Sequence, residues 1–151
     1  MDKEFFVREI ELRQDMLYRI AYAILQNDDA CADALQDAIL KAWEKRNTLR
    51  EEQYFRTWLT RILINTCRRA RMKQRRFLSI EEVPEPSAQP PDPTLALLLS
   101  QMPEQLRLPL LLQSCEGMTY AEISQVLQLP ESTVRGRIHR AKLYMRKELE
   151  A

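Results

Sequence analysis

The feature that most restricts the fold of this chain is the helical pattern in residues 119–142. Thr119 and Glu122 have the spacing of a capping box, in which each side chain bonds a free backbone N–H of the other residue and starts a helix. Pro130 ends that helix, because the residue before a proline is pushed out of the α region. A second helix is predicted by the apolar stripe of Val134, Ile138, Ala141 and Met145.

These two predicted helices are separated by a tight turn, and the second one is basic. Its charged side falls mostly opposite the apolar stripe and consists of Arg135, Arg137, His139, Arg140 and Lys142. A short helix, a turn and a basic second helix are typical of a helix-turn-helix, whose second helix enters the major groove of DNA.

The rest of the chain also has a helical period, and we therefore predict an all-α fold. Glycine occurs only 2 times, and β-branched runs are few. Apolar residues three and four apart predict helices over about residues 3–25, 30–45, 53–76, 95–102 and 104–115. Pro109 should remove one hydrogen bond from the last of these and bend it.

The charge of the chain is distributed unevenly. The net charge is only +1, from 23 basic and 22 acidic residues, yet residues 61–76 contain no acid. Arg61, Asn65, Arg68 and Arg69 lie along one side of the predicted helix there. A solvated helix face normally mixes charge signs, so a strip of arginines indicates binding to phosphates. Asn65 can form two hydrogen bonds to a base edge, most naturally that of adenine.

An acidic, proline-rich segment divides the chain at residues 79–94. Its prolines are Pro84, Pro86, Pro90, Pro91 and Pro93, and it has no apolar period. We therefore predict a flexible linker between a first domain, residues 1–78, and a second domain, residues 95–151.

Several kinds of site are not expected. The 3 cysteines match no CxxC spacing, and His139 is the only histidine, so we predict reduced thiols and no zinc site. The sequence shows no nucleophile–base pair and no phosphate-binding loop, so neither catalytic residues, a cofactor nor a small-molecule substrate are expected. No N-terminal signal pattern appears, and the apolar runs are too short to span a bilayer, which predicts a cytoplasmic protein.

Two basic elements in this order, joined by a proline-rich linker, resemble the bacterial RNA polymerase sigma factors of the extracytoplasmic-function (ECF) group in the sigma-70 family. In the first domain the resemblance to region 2 rests on residues 33–37, 41–43 and 55–66. In the second domain the resemblance to region 4 rests on residues 102–105, 116–123, 133–135 and 137–141. The resemblance implies a promoter-specificity subunit with a helical-bundle domain and a helix-turn-helix domain.

The resemblance also implies roles for individual residues. Binding to the clamp coiled coil in the largest subunit of core polymerase is expected from Asp33, Gln36, Asp37 and Lys41. Binding to the β-flap tip is expected at Leu110, Leu111 and Leu112. Contact with the −10 promoter element is expected from Thr48, Leu49, Arg50, Arg61, Asn65, Arg68 and Arg69. Contact with the −35 element is expected from Ser132, Thr133, Arg135, Gly136, Arg137, His139 and Arg140. An anti-sigma factor, often held at the membrane, is the expected regulator.

Three residues of the helix-turn-helix are expected to affect its stability or its approach to DNA. Gln128 stands where the family usually has glycine, and a left-handed conformation there would cost about 1 kcal/mol. Glu131 favours the dipole of the second helix but repels phosphate. Gly136 costs the helix about 1 kcal/mol relative to alanine, which indicates either close approach to DNA or simple tolerance.

Two other classes of function remain open from the residues alone. One is a stand-alone helix-turn-helix regulator whose first domain binds a ligand or a protein, although such a domain has no need of an acid-free arginine strip beside Trp58 and Asn65. The other is an enzyme that acts on nucleic acid, for which the sequence offers no catalytic cluster.

Overall fold

The computed structural model describes residues 1–78 and 93–151, and every regular element in these two ranges is helical. This confirms the prediction of an all-α fold. The helices are α1 (Lys3–Leu12), α2 (Gln14–Leu25), α3 (Asp28–Glu44), α4 (Phe55–Leu78), α5 (Pro93–Gln101), α6 (Glu104–Ser114), α7 (Tyr120–Leu127) and α8 (Glu131–Glu150). The chain divides into a first unit, Met1–Glu85, and a second unit, Pro86–Ala151. The predicted linker falls outside the described residues except for its last two, which begin α5.

The single helix predicted over residues 3–25 is wrong, because the chain breaks at Arg13. This residue leaves the helical conformation, with φ −110° and ψ 12°, and its N–H bonds the Ile10 carbonyl at 3.0 Å. Its guanidinium pairs with Glu9 and lies 5.4 Å from the centre of the Phe55 ring. The contact with Phe55 is a tertiary one, and it accompanies a break that the apolar period does not reveal.

The first unit is a bundle in which α2, α3 and α4 each pack against the other two. The inner side of α3 is lined by small residues, Ala34, Ala38 and Ala42, which are almost fully buried. Small side chains allow two helices to approach closely. Opposite them, α2 and α4 bury large residues: Leu17, Ile20, Ile24, Leu59, Leu63 and Ile64. The core therefore consists of large side chains packed against an alanine stripe.

Helix α3 starts two residues earlier than predicted. Its cap is Asn27 rather than either following aspartate, since the Asn27 side chain accepts the Ala30 N–H at 2.9 Å. Asp28 and Asp29 instead occupy the first turn, where negative charge favours the helix dipole. The connection from α3 to α4 contains two short 3₁₀ turns, Arg46–Thr48 and Glu52–Tyr54.

In the second unit, a buried arginine joins α5 to α6. One nitrogen of Arg107 donates to the carbonyls of Leu99, Ser100 and Met102, at 3.2, 3.1 and 2.8 Å. A cation at the end of α5 satisfies carbonyls that have no partner within that helix. Arg107 thereby holds the C-terminus of α5 against α6.

Helix α6 continues through Pro109, which is buried. Proline removes the hydrogen bond to the carbonyl four residues earlier, which here belongs to the exposed Gln105. Because Gln105 is exposed as a residue, we expect the lost bond to cost less than it would in the core. This helps to explain why α6 contains Pro109 and does not end there.

The predicted capping box is confirmed at the start of α7. The Glu122 N–H donates to the Thr119 hydroxyl at 3.1 Å, and the Thr119 N–H donates to the Glu122 carboxylate at 3.1 Å. Gly117, just before it, has φ +65°, the left-handed conformation expected of a glycine that ends a helix.

Gln128, in the turn after α7, adopts the left-handed conformation, with φ 57° and ψ 47°. Ser124 stabilises this turn. Its carbonyl accepts the N–H groups of both Gln128 and Leu129, and its hydroxyl donates to the Leu129 carbonyl. These bonds help to offset the cost of the left-handed glutamine.

Candidate nucleic-acid interface

Helix α8 has one buried side and one exposed side. Val134, Ile138 and Ala141 are almost fully buried against α6 and α7. Among the residues expected to contact the −35 element, Ser132, Arg135, His139 and Arg140 are exposed, while Thr133, Gly136 and Arg137 are half-buried. All seven lie within the first ten residues of the helix. The packing of α8 thus leaves its basic side accessible at the N-terminal half.

The N-terminus of α8 has no side-chain cap, since Pro130 occupies the cap position. Glu131 is the first helical residue and is exposed. A carboxylate in this position stabilises the helix dipole. It also puts one negative charge beside the basic residues of the predicted −35 surface.

Arg135 contacts an aromatic ring that the sequence did not indicate. Its guanidinium carbon lies 5.1 Å from the centre of the ring of Tyr120, the first residue of α7. The two residues are fifteen positions apart and belong to different helices, so no helical period relates them. The one sequence signal for this contact was the predicted turn, because a tight turn between α7 and α8 brings the two helices together.

Gly136 has no packing partner that requires glycine. A Cβ added there would meet nothing within 4 Å. Its conformation is helical, so an alanine would fit both the space and the backbone. The reason for glycine therefore does not lie in the packing of the second unit.

Helix α4 carries the arginine strip on its exposed side. Arg61, Asn65 and Arg69 are exposed, and Arg68 is half-buried. The opposite side enters the core through Leu63, Ile64 and Cys67. Met72, at 56% exposed, continues the exposed face, because it lies eleven residues after Arg61 and α4 turns about 100° per residue. Tyr54, at 55% exposed, ends the 3₁₀ turn directly before α4.

The segment between α3 and α4 contains the other residues expected to contact the −10 element. Thr48 and Arg50 are exposed, and Leu49 is half-buried. Arg46 supports the near end of the segment, since its guanidinium lies 4.0 Å from the centre of the Trp43 ring and donates to the Trp43 carbonyl at 2.8 Å. The segment between α3 and α4 and the arginine strip of α4 therefore belong to the same unit.

The outer side of α3 is accessible, as the sequence predicted. Asp33, Gln36 and Asp37 are exposed, and Lys41 is half-buried. Leu40 lies between these polar residues and is 61% exposed. An exposed leucine beside two acids extends the candidate polymerase-docking face with an apolar contact.

The three residues expected at the β-flap tip, Leu110, Leu111 and Leu112, differ in exposure. Leu112 is fully buried and Leu110 is 7% exposed, so both contribute mainly to the core of the second unit. Leu111 is half-buried and is the one member of the three that offers surface. The run of leucines belongs mainly to the core, because three adjacent helical residues cannot all face outward.

Two buried thiols in the first unit are held in the protonated form. Burial raises the pKa of Cys31 to about 11 and that of Cys67 to about 12. Cys115 in the second unit is exposed. Within residues 1–78 and 93–151, no group of three His, Cys, Asp or Glu residues could hold a metal ion. No helix in this described part of the chain is both long and apolar enough to cross a membrane.

Two family models match the chain, and together they cover both units. Sigma-70 region 2 matches residues 10–77, and Sigma-70, region 4 matches residues 94–145. The second match contains the helix-turn-helix, and the first contains the arginine strip. Because the first domain matches as well, the alternative of a stand-alone helix-turn-helix regulator no longer applies.

Individual relatives agree with these matches. The ECF RNA polymerase sigma factor SigW of Bacillus subtilis is 27% identical across 98% of this chain and 90% of its own length. The ECF RNA polymerase sigma-E factor of Escherichia coli is 30% identical, across 73% of this chain and 69% of its own length.

Solved structures show the same fold. The sigma factor RpoE from Bartonella quintana, crystallised with the anti-sigma factor NepR, has a TM-score of 0.84 at 22% identity and is matched over 97% of both chains. CnrH, solved with the cytosolic domain of CnrY, has a TM-score of 0.75 at 24% identity, over 99% of this chain and 90% of its own. With both regions matched in order and whole-length relatives of one kind, this chain belongs to the ECF group of RNA polymerase sigma factors in the sigma-70 family.

Proposed function

We propose that this chain directs core RNA polymerase to promoters by binding the −35 element with α8 and the −10 element with α4 and the segment before it. One observation carries the proposal. Each unit exposes a basic strip on a helix whose opposite side is buried, on α4 at Arg61, Asn65 and Arg69 and on α8 at Arg135 and Arg140. Neutralisation of phosphates by such strips supplies affinity, and the side chains among them supply base readout.

In the second unit, α8 enters the major groove of the −35 duplex. Burial of Val134 and Ile138 supports this assignment, because it fixes which side of the helix is free for DNA. Arginines on that side can form two hydrogen bonds to guanine, and His139 and Ser132 can reach either base edges or phosphates. Glu131 restricts how closely the N-terminus approaches the backbone.

In the first unit, α4 and the preceding segment hold the −10 element. Arg61, Arg68 and Arg69 bind phosphates, and Asn65 reads a base between them. Met72 on the same face and Tyr54 directly before α4 add exposed apolar surface, and the Tyr54 ring suits stacking with unpaired bases. The segment that contains Leu49 and Arg50 captures a base removed from the stack.

Docking on core polymerase uses the outer side of α3. Asp33, Asp37 and Gln36 provide polar contacts to the clamp coiled coil, and the exposed Leu40 provides an apolar one. In the second unit, the β-flap tip contacts Leu111 rather than the buried Leu112. The chain acts by binding alone, without catalysis, in the cytoplasm where the polymerase works.

Control by an anti-sigma factor is part of the proposal. It is supported by the two similar folds, which were solved with NepR and with the cytosolic domain of CnrY. A regulator of this kind would keep the chain from core polymerase, and one that is anchored in the membrane would hold it there.

The proposal is tested by transcription from fragmented bacterial DNA with purified core polymerase and the full chain. Transcripts that start at positions unused by core polymerase alone, and that share sequences near −35 and −10, are expected. Mapping of the start sites then gives the promoter sequence. If the added chain neither associates with core polymerase nor creates new start sites, the proposed function is overturned.

A further inference from the structure

The segment between the two 3₁₀ turns has an extended backbone. Leu49 has φ −80° and ψ 109°, and Glu51 has φ −129° and ψ 124°. Arg50 lies between them and is exposed. Arg50, with an extended residue on each side, is displayed on the surface provided that both turns are held in position.

One side chain ties the first turn to α4. The indole N–H of Trp58 donates to the Thr48 hydroxyl oxygen at 3.1 Å, and the Thr48 hydroxyl donates to the Lys45 carbonyl at 2.7 Å. A threonine hydroxyl has a single hydrogen, so this second bond uses its only donor. The Thr48 hydroxyl therefore has no hydrogen left to donate to a base, although Thr48 lies on the surface.

Trp58 is in turn fixed to the core of the first unit. Its ring lies 5.7 Å from that of Phe55, measured between centroids, and Phe55 is 1% exposed. Phe55 makes edge contacts with Phe5 and Phe6, with centroids 5.8 and 6.0 Å away. A continuous path of contacts thus runs from the core, through Trp58, to the turn that precedes Leu49.

We propose that Trp58 is a positioning residue for capture of the −10 base, acting through Thr48, and that Thr48 itself does not read the base. This inference rests on the proposed function of the segment. Base contact then passes to Leu49 and Arg50, which follow Thr48 directly. The Trp58–Thr48 bond orders the turn before DNA arrives, so that binding does not have to order it.

The expected loss of affinity follows from the free energy of one hydrogen bond. Loss of a neutral hydrogen bond at a partly exposed site lowers affinity for the −10 strand about three- to tenfold. Trp58→Phe removes the N–H and keeps a ring against Phe55. Thr48→Val removes the hydroxyl and keeps the shape of the side chain, whereas Thr48→Ser keeps the hydroxyl.

The probe is a fluorescent single-stranded oligonucleotide with the non-template −10 sequence of a promoter on which the holoenzyme initiates. Binding is measured with holoenzyme that contains the full chain, for this oligonucleotide and for one with the captured base replaced. Thr60→Val serves as the matched control, because it removes a hydroxyl that donates to the Arg56 carbonyl within α4, at 2.7 Å and away from the segment.

Trp58→Phe and Thr48→Val are each expected to lower affinity and to reduce discrimination against the replaced base, Thr48→Val at least as strongly because it also removes the bond to the Lys45 carbonyl. The double variant should be no worse than the poorer single variant, because both changes remove the same bond. Thr48→Ser should recover most of what Thr48→Val loses, and Thr60→Val should leave discrimination intact.

Two results would overturn the inference. One is a Trp58→Phe holoenzyme with unchanged affinity and discrimination. The other is loss of discrimination in Thr48→Val alone, with losses that add in the double variant, which would make Thr48 a direct base contact. Failure of the unsubstituted holoenzyme to bind the oligonucleotide would instead count against the proposed function, so the two failures are distinguishable.

Discussion

The guanidinium of Arg135 lies over the ring of Tyr120, with 5.1 Å between the Arg135 Cζ and the ring centroid. This distance is within the range of a cation–π interaction. Arg135 is exposed on α8, so the ring limits where its long side chain can point. Tyr120 therefore helps to aim a residue that we expect to contact the −35 element.

Replacement of Tyr120 tests this relationship. Tyr120→Leu should weaken binding of a −35 duplex by the holoenzyme about two- to fivefold, the value of an exposed cation–π contact. Tyr120→Phe keeps the ring and should stay near the unsubstituted affinity. Tyr144→Leu is a control in the same unit, because residue 144 lies half a turn away from residue 135 around α8. Equal losses in the Phe and Leu variants would implicate the hydroxyl instead of the ring.

Gly136→Ala separates close approach to DNA from simple tolerance of glycine. The second unit should gain about 1 kcal/mol in the free energy of unfolding, since a Cβ there meets nothing within 4 Å. Binding to the −35 duplex should nevertheless fall if DNA approaches the backbone at this position. Thermal unfolding and duplex binding measure the two effects. Improved stability with undiminished binding would leave tolerance as the explanation. Gly117→Ala, at φ +65°, should destabilise the unit and serves as the opposite control.

The α4 strip predicts a change in salt dependence. Arg61→Gln combined with Arg69→Gln should reduce the slope of log affinity against log salt by about 1.8, or about 0.9 for each phosphate contact. The slope is measured for promoter binding by the holoenzyme between low and physiological salt. Lys3→Gln with Arg8→Gln removes the same charge from the exposed side of α1. Equal slopes in the two double variants would remove α4 from the DNA interface.

The acidic side of α3 predicts an effect on assembly with core polymerase. Asp33→Asn with Asp37→Asn should weaken holoenzyme formation by about 1 kcal/mol, or about fivefold, because both carboxylates are exposed and screened by solvent. Titration of labelled chain with core polymerase measures this. Glu4→Gln with Glu11→Gln, on the exposed side of α1, is the matched control. Unchanged assembly in the α3 variant would move the docking face elsewhere.

The thiols differ in reactivity because the thiolate is the reactive form. Burial raises the pKa of Cys31 from 9.0 to about 11 and that of Cys67 from 9.0 to about 12, so both stay protonated at pH 8. Iodoacetamide at pH 8 should modify the exposed Cys115 and reach the other two only after unfolding, as mass spectrometry would detect. Rapid modification of Cys67 in the folded protein would contradict this packing.

The raised pKa values of Cys31 and Cys67 make the free energy of unfolding fall at high pH. Because the folded-state pKa is raised, the stabilisation from the protonated thiols is complete below about pH 9. It is lost as pH rises through about 11 for Cys31 and about 12 for Cys67. Urea unfolding at increasing pH should show this decline, and Cys67→Ala should reduce it.

Several helix ends follow from signals whose effect lies close by in the chain. The capping box at Thr119 and Glu122 and the left-handed Gly117 depend on residues within one turn. The break at Arg13 was missed, because its side chain contacts Phe55, more than forty residues away. The apolar period continues across that break and conceals it.

The candidate interface also contains features that the sequence predicted and features that it did not. The exposed basic strip on α4 was predictable, because helical spacing alone assigns residues to one side. The role of Leu112 could not be predicted, because an apolar residue in a leucine run can belong either to the core or to a partner-binding surface. The packed structure shows that Leu112 is fully buried. The Trp58–Thr48 bond was equally hidden, because it joins a helix to a turn across an irregular segment.

The helical class, the two separate basic elements and the resemblance to sigma factors can all be read from the amino-acid sequence. These properties reside in periodicity, charge and short motifs, which act over a few residues. Only the packed fold shows which residues of the Leu110–Leu112 run are buried and which neighbours hold Arg135 and Thr48. Those outcomes depend on contacts between residues distant in the chain, and such contacts exist only once the helices have packed.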